Sequence, residues 1–365
     1  MRKFINRYLK VIDRYIMRKY LGTFVFTLAI FSVITVVFDI SERLDNFLKG
    51  GASLHDIILQ YYAGFVPFYL NMLSPLINFL AVIFFTAKMA NQTEIVPILS
   101  GKASFNRFLR PYFLSALIIF IVSFLANVYL IPYTNRLKND FENVYFNDVD
   151  PTRSETHIQL DKHTFVYLQS YDETVHMGYN FILEKFDGDQ LRQKLTAPNI
   201  KFDSVKHIWS IPQYQVRYVN GLKERLISGY NKDTILDMKP TDFVLRDNIY
   251  MAISTRNLAA GIAKEKVRGT GLLIPMQFEM YKRFVYPLST FVLTLIGVSI
   301  SSRKVRGGIG LPLGIGIFLC FTYIIVDRFA FVFSVKGGMP PAFTVFIPNV
   351  LFGILGFIML KRAPK

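Results

Sequence analysis

The sequence predicts an α-helical membrane protein with six transmembrane helices, three on either side of one inserted all-β domain. Three observations lead there. The chain of 365 residues is 52% hydrophobic with a mean hydropathy of +0.32, more apolar than soluble domains. Its apolar residues gather into stretches near the ~20 residues that cross a ~30 Å hydrocarbon core. Its formal charge of +16, from 42 Lys+Arg against 26 Asp+Glu, is unevenly placed. The 35 Phe and 20 Tyr supply enough burial to exclude disorder. The single cysteine, Cys320, excludes a disulfide scaffold.

Six stretches carry the spans. The first, Tyr20 to Phe38, holds no charge and is too long in its apolar core for a cleaved signal peptide. The second, Ile57 to Ala87, contains Pro67 and Pro75 and is expected to kink, because proline withdraws an amide from the helix ladder. The third, Tyr112 to Ile131, is closed by Pro132. The fourth, Val285 to Ile300, is short and ends at Arg303, Lys304 and Arg306. The fifth, Ile309 to Val335, is interrupted only by Asp327 and Arg328. The sixth runs from Ala342 to Leu360. This divides the chain into residues 1–131, 132–283 and 284–365.

Residues 132–283 contain 21 Lys+Arg and 19 Asp+Glu, so the membrane half holds +14 of the +16. Nucleic acid would need a basic patch on a soluble face, and the charge lies elsewhere. It follows the positive-inside pattern. Seven basic residues precede the first span, and Lys88, Lys102, Arg107 and Arg110 lie between the second and third. Three more follow the fourth, and Lys361, Arg362 and Lys365 end the chain. The opposite short loops hold only Arg43, Lys49 and Lys336. Both termini are therefore expected on the cytoplasmic side and the inserted domain on the other.

That domain reads as β. Short segments rich in Ile, Val, Phe and Tyr are separated by turn signals such as Asp187-Gly188 and Asn220-Gly221. Many short strands at this spacing point to a sandwich, jelly roll or half-open barrel. From Ser254 the composition turns helical, and Glu279 and Arg283 stand one turn apart, able to pair.

Motifs for chemistry are weak. Ser100-Gly101-Lys102-Ala103 resembles a phosphate loop superficially but lacks its first glycine and its Ser/Thr, so any ATP belongs on another chain. Ser301-x-x-Lys304 lacks the companion motifs of a penicillin-recognising enzyme. His157, Asp161 and His163 share one face of an extended strand, and solvated histidines are the simpler reading. No metal, cofactor or catalytic residue is expected. Asp327-Arg328 inside a span is costly and reads either as a polar lining that contacts an anion or as a salt bridge to another helix. Asp39 reads as interfacial. Gly308, Gly310, Gly314 and Gly316 allow close helix approach on the fifth span, and Gly310-x-x-x-Gly314 has the small-residue packing spacing. Between the second and third spans, Asn91 to Pro111 mixes Ile95, Ile98, Leu99, Phe105 and Phe108 with charge. It reads as an amphipathic surface helix, either an anchor or a docking element with Glu94 near its start.

Taken in order, these features resemble the LptF/LptG permeases of lipopolysaccharide export over essentially the whole chain. The resemblance rests on Ile12–Phe24 (IDRYIMRKYLGTF), Thr93-Glu94-Ile95-Val96, Glu279-x-x-x-Arg283-x-x-x-Pro287, and Met339–Asn349 (MPPAFTVFIPN). Ile12–Ile16 (IDRYI) and Phe38–Phe47 (FDISERLDNF) resemble LptG more than LptF. The Gly-aliphatic-Ser expected after the coupling helix stands here as Gly101-Lys102-Ala103-Ser104, a departure.

The resemblance implies an inner-membrane half-transporter without its own ATPase, and a periplasmic β-jellyroll. An LptB-like ATPase dimer carrying ATP and Mg would engage a coupling helix near residues 91–100 through Glu94, Ile95, Val96, Ile98 and Leu99. A second six-span permease and an LptC-like periplasmic bridge protein are the other implied partners. Lipopolysaccharide would enter laterally between the first and fifth spans. Candidate cations for its phosphates are Arg43, Lys49, Arg136, Arg328 and Lys336. The competing reading is a permease-like or ion-coupled transporter of another amphiphilic lipid. An ion-coupled carrier would need midplane carboxylates in broken helices, and only Asp327 comes near.

Overall fold

The computed structural model describes residues 10–101, 104–146, 155–243, 249–269, 271–303 and 308–362. Lys102 and Lys304, the basic residues of the phosphate-loop and Ser-x-x-Lys resemblances, lie outside the described residues. The chain forms two compact units. One comprises 1–147, 251–255 and 277–365, the other 148–250 and 256–276.

The described residues of the first unit supply helices long and apolar enough to cross a membrane six times. Helix α1 (Val11–Gly50) is unbroken over 40 residues. Its hydroxyls stay satisfied in an apolar setting by bonding back one turn: Thr23, Thr27, Ser32, Thr35 and Ser41 each donate to the carbonyl four residues earlier. The second stretch is in pieces. A π-helical turn at Ile57–Tyr62 leads into α2 (Ala63–Met72), and α3 (Ser74–Asn91) follows. Pro67 sits inside α2, while the break falls at Leu73, where Pro75 begins the next helix and needs no donor there. Short helix α4 (Ile95–Ser100) precedes α5 (Phe105–Leu125). Pro132 does not close the third span. A π-helical turn at Ala126–Leu130 is followed directly by α6 (Ile131–Tyr145), with Pro132 in its first turn. There its missing N–H costs little, so the helix runs on.

Six antiparallel strands make the sheet of the second unit: β1 (Thr156–Gln159), β2 (Thr164–Asp172), β3 (Met177–Asp187), β4 (Gln190–Asp203), β5 (Ile208–Asn220) and β6 (Lys223–Thr234), paired in sequence order. Tight turns set that order, with Gly188 and Gly221 at φ 60° and 62° in two of them. Asp161 and Asp203 close others by accepting backbone N–H groups. Those of His163 and Lys206, respectively, do most to hold the carboxyls below the usual range. Greek-key crossovers of a jellyroll are not among the pairings of the described residues.

One feature shapes this sheet. Side chains of a strand alternate faces with a period of two, yet three neighbouring strands bury residues three apart at the same level. These are Leu168 and Tyr171 on β2, Phe181 and Gly178 on β3, and Ala197 and Ile200 on β4. Leu168 pairs with Phe181 and Phe181 with Ala197; Tyr171 pairs with Gly178 and Gly178 with Ile200. Regular pairing lapses along this line, where Asn180 has φ 51° and Pro198 and Pro212 lack an N–H. Aligned lapses of this kind let a sheet turn a corner. Both halves then contribute to one core with Trp209, whose indole donates to the Met238 carbonyl at 3.1 Å.

The remaining helices are α7 (Thr255–Arg268), α8 (Leu273–Val285), α9 (Ser289–Ser301), α10 (Gly310–Val335) and α11 (Ile347–Lys361). In the membrane unit, Tyr20 of α1 donates to Asn78 of α3 at 2.6 Å and lies 2.8 Å from the hydroxyl of Thr294 on α9, all three buried. The close helix approach on α10 falls at Gly316. A Cβ there would stand 2.1 Å from Ile83 Cδ1, whereas Gly310 and Gly314 face open space. Of the glycines expected to allow close approach on this helix, Gly316 makes one, while the Gly310-x-x-x-Gly314 pair lies on an open face. Gly316→Val is expected to overpack α10 against α3 and lower stability by about 1–3 kcal/mol. Gly314→Val should leave thermal unfolding in detergent unchanged.

Candidate coupling site and outer cations

Helix α3 ends in a Schellman motif. Glu94 N–H bonds the Met89 carbonyl at 3.0 Å and Thr93 N–H bonds that of Ala90 at 3.1 Å. The residue in the left-handed conformation is Thr93, at φ 57°, where glycine is usual and a β-branched side chain is strained. This turn aims Glu94 back at α1. Its carboxylate accepts from Tyr15 Oη at 2.9 Å and sits 3.2 Å from Lys19 Nζ, which also stacks 4.4 Å over the Tyr15 ring.

A second clasp lies beside it. Arg107, on the first turn of α5, makes a two-pronged bond to Asp13 of α1 at 2.6 and 2.7 Å, with Asp13 only 1% exposed. Ser104 caps α5 by accepting the Arg107 N–H. The α4 helix is thus held at both of its flanks to the first helix.

The five residues expected to couple divide by environment. Ile95 is buried with Ile16, Tyr20, Phe85 and Tyr112, and Ile98 and Leu99 pack against the same cluster. Val96 is 62% exposed, and Pro97 and Ser100 are exposed beside it. Glu94 is occupied by its own chain. A partner protein can therefore reach Val96, Pro97 and Ser100, while Ile95, Ile98 and Leu99 seat the helix.

The outer cations are dispersed. Arg43 is 2.8 Å from Glu142 and 3.3 Å from buried Asp39, and its guanidinium lies 5.4 Å from the Phe146 ring centre. Asp39 is enclosed by the protein: Tyr61 donates to it at 2.9 Å, and an aromatic cluster of Phe47, Tyr61, Phe65, Phe141 and Phe146 lies beside it. Arg136 is 76% exposed, with a long 3.7 Å contact to Asp140. Lys49 and Lys336 are exposed, and no ion pair is found for either among the described residues.

The neighbours Asp327 and Arg328 part company. Asp327 pairs with Lys282 of α8 at 2.7 Å, whereas Arg328 is exposed and bonds the Met72 sulfur at 3.7 Å, with no carboxylate in ion-pair distance among the described residues. Below Lys282, Arg283 is buried, 3.0 Å from Glu279 and 3.0 Å from the Thr255 hydroxyl. His157, Asp161 and His163 do not share a strand face, because Asp161 and His163 lie in the β1–β2 turn and His157 stacks on Tyr167. No metal-holding group of three was found among the described residues.

Residues 14–362 match the family described as lipopolysaccharide export system permease LptF/LptG. The chain belongs to that family. No curated protein matches it. As an LptF/LptG permease it is a multi-spanning subunit of lipopolysaccharide export, and its sheet is the large domain outside the membrane helices.

Sequence reasoning placed Glu94 at the start of the coupling helix and missed its partners. One signal was available. Glu94 is the only acidic residue between Asp56 and Asp140, and a lone carboxylate among cations finds one. The Asp13–Arg107 clasp had no comparable signal, because several basic residues were equally placed in the sequence. Lys19→Met is expected to free Glu94 and loosen α4 by about 1 kcal/mol. Hydrogen exchange should register this as several-fold faster exchange of the Ile95–Ser100 amides, with α3 unaffected.

Proposed function

We propose that this permease extracts lipopolysaccharide from the outer leaflet of the inner membrane and passes it to a periplasmic bridge. Its LptF/LptG membership over residues 14–362 carries the reading. ATP and Mg are bound by an LptB-like ATPase dimer, a second six-span paralogue completes the cavity, and an LptC-like protein receives the cargo. Both termini are cytoplasmic, which the distribution of basic residues supports. The chain takes the LptG place in the pair. In support, the LptG-like segments supply Asp13, Tyr15, Asp39, Arg43 and Phe47, all used in the contacts above.

The coupling helix acts as a lever. A partner pressing on Val96, Pro97 and Ser100 moves a helix that is seated by Ile95, Ile98 and Leu99 and pinned to α1 through Glu94. Motion of the ATPase is thereby delivered to the first span, one wall of the lateral opening. Of the outer cations, Lys49, Arg328 and Lys336, which have no ion pair among the described residues, and Arg136, held only by a long contact to Asp140, can meet lipid phosphates, while Arg43 holds the rim of the first span in place. Glu279 and Arg283 are a structural pair at the root of the fourth span. In the β domain, a groove of jellyroll type would shield acyl chains on the way to the bridge. Transport of another amphiphilic lipid by an ion-coupled mechanism is disfavoured because Asp327, its best carboxylate, is engaged by Lys282.

Affinity purification in mild detergent is expected to recover an ATP-binding subunit and a second six-span chain. Val96→Asp should release the ATPase while leaving the permease pair intact. Recovery of an ATP-independent, single-chain transporter would sink the proposal. Arg328→Ala is expected to reduce photocrosslinking of lipopolysaccharide several-fold with assembly unchanged, because Arg328 has no carboxylate partner among the described residues. A failure to assemble would assign it a structural role instead.

A further inference from the structure

A second basic site lies at the end of the membrane unit that carries α4. Between α1 and α3 is a groove of about 470 Å³, lined by Tyr15, Arg18, Lys19, Gly22, Phe84 and Lys88 among others. On α1 these residues fall at intervals of three and four, so they share one helical face; Phe84 and Lys88 do the same on α3. We propose that this groove binds an anionic phospholipid, its phosphate among Arg18, Lys19 and Lys88 and an acyl chain along the crevice below.

Charge is the first argument. Three cations face one carboxylate, Glu94, and that carboxylate is already bonded to Lys19 and Tyr15. Arg18 and Lys88 are exposed, and neither has a carboxylate within ion-pair distance among the described residues. Basic pockets between transmembrane helices at a membrane surface favour anionic headgroups.

Shape separates a lipid from a soluble anion. The groove continues from its cations onto apolar surface. Phe84 is 45% exposed, and no heavy atom lies within 4 Å of where a Cβ on Gly22 would stand. That leaves an open channel one helical turn below Arg18 and Lys19, on the side of α1 that enters the bilayer. A free phosphate would use the cations and ignore the channel. Depth agrees as well. Lys19 lies 20 residues before Asp39 on one continuous helix, a rise of about 30 Å. The cations therefore sit at one face of the hydrocarbon core when Asp39 sits at the other.

Lys19 belongs to this groove and to the Glu94 clasp together. A bound phosphate would share Lys19 with Glu94, so lipid occupancy and the seating of α4 are linked through one ammonium group. The site needs only that α1 and α3 span a membrane. Its test is independent of lipopolysaccharide and of the ATPase.

The test is retention of phosphatidylglycerol by the purified full-length chain in detergent, read by native mass spectrometry against phosphatidylcholine and inorganic phosphate. Wild-type protein is expected to retain phosphatidylglycerol preferentially. The double variant Arg18→Gln/Lys88→Gln should lose about tenfold or more in retention. Gly22→Leu, which fills the channel at a position with no neighbours and leaves every cation, should lose phosphatidylglycerol as well. Equal retention of the two lipids, or unchanged retention in both variants, would overturn the proposal. Competition by millimolar inorganic phosphate, with Gly22→Leu behaving as wild type, would make this a phosphate site and overturn the lipid assignment. Monodisperse elution of each variant confirms that a loss reflects the groove and not the fold.

Discussion

The buried bond between Tyr20 and Asn78, shared with Thr294, sets the register on which the membrane unit depends. Between apolar helices there is little hydrophobic preference for one sliding position over another. A hydroxyl and an amide that would otherwise lie unsatisfied, at a cost of about 1–3 kcal/mol each, supply that preference. Tyr20 reaches α3 at 2.6 Å and α9 at 2.8 Å, so helices from both halves of the chain are aligned by one side chain. Asn78 adds a bond to the Thr290 carbonyl at 3.3 Å, which ties the amide to the α9 backbone itself.

That register has functional consequences. Lys19 is the residue before Tyr20, and its side chain meets Glu94 because α3 is held at that height against α1. The same alignment brings Arg18 and Lys88 to one groove. The strained Thr93 turn then directs α4 across the ends of α1, α3 and α5, and Ile95 drops into the cluster that already contains Tyr20 and Tyr112. On the lever proposed above, a push on the exposed side of α4 would reach the first span through the packed side chains of this cluster and the Lys19–Glu94 pair.

The β unit meets its own constraint by a different route. A single sheet in sequence order has one apolar face and nothing in the sheet to cover it. Here the aligned lapse at Asn180, Pro198 and Pro212 turns the sheet, and residues from both sides of the line reach Trp209 and Phe243. The prolines were visible in the sequence as turn signals. Their alignment across neighbouring strands was not, since Pro198 and Pro212 fall in the same lapse of regular pairing only once β4 and β5 pair.

Hydropathy, proline placement and the count of basic residues determined by themselves that this is a six-span chain with a β insertion, and pointed to the coupling segment. Those properties are summed along the backbone, and the bilayer reads them without reference to neighbours. The tertiary structure alone decided which charges are spent and which are free. Asp39 and Arg43 pair with each other, Asp327 takes the salt-bridge reading of the two left open for it, and Arg328, Arg18 and Lys88 are exposed; among the α10 glycines it is Gly316, not Gly314, that meets another helix. Each of those outcomes turns on the rotation of one helix about its axis relative to another. A shift of a single residue rotates a side chain by about 100°, and only the packed partner fixes that angle.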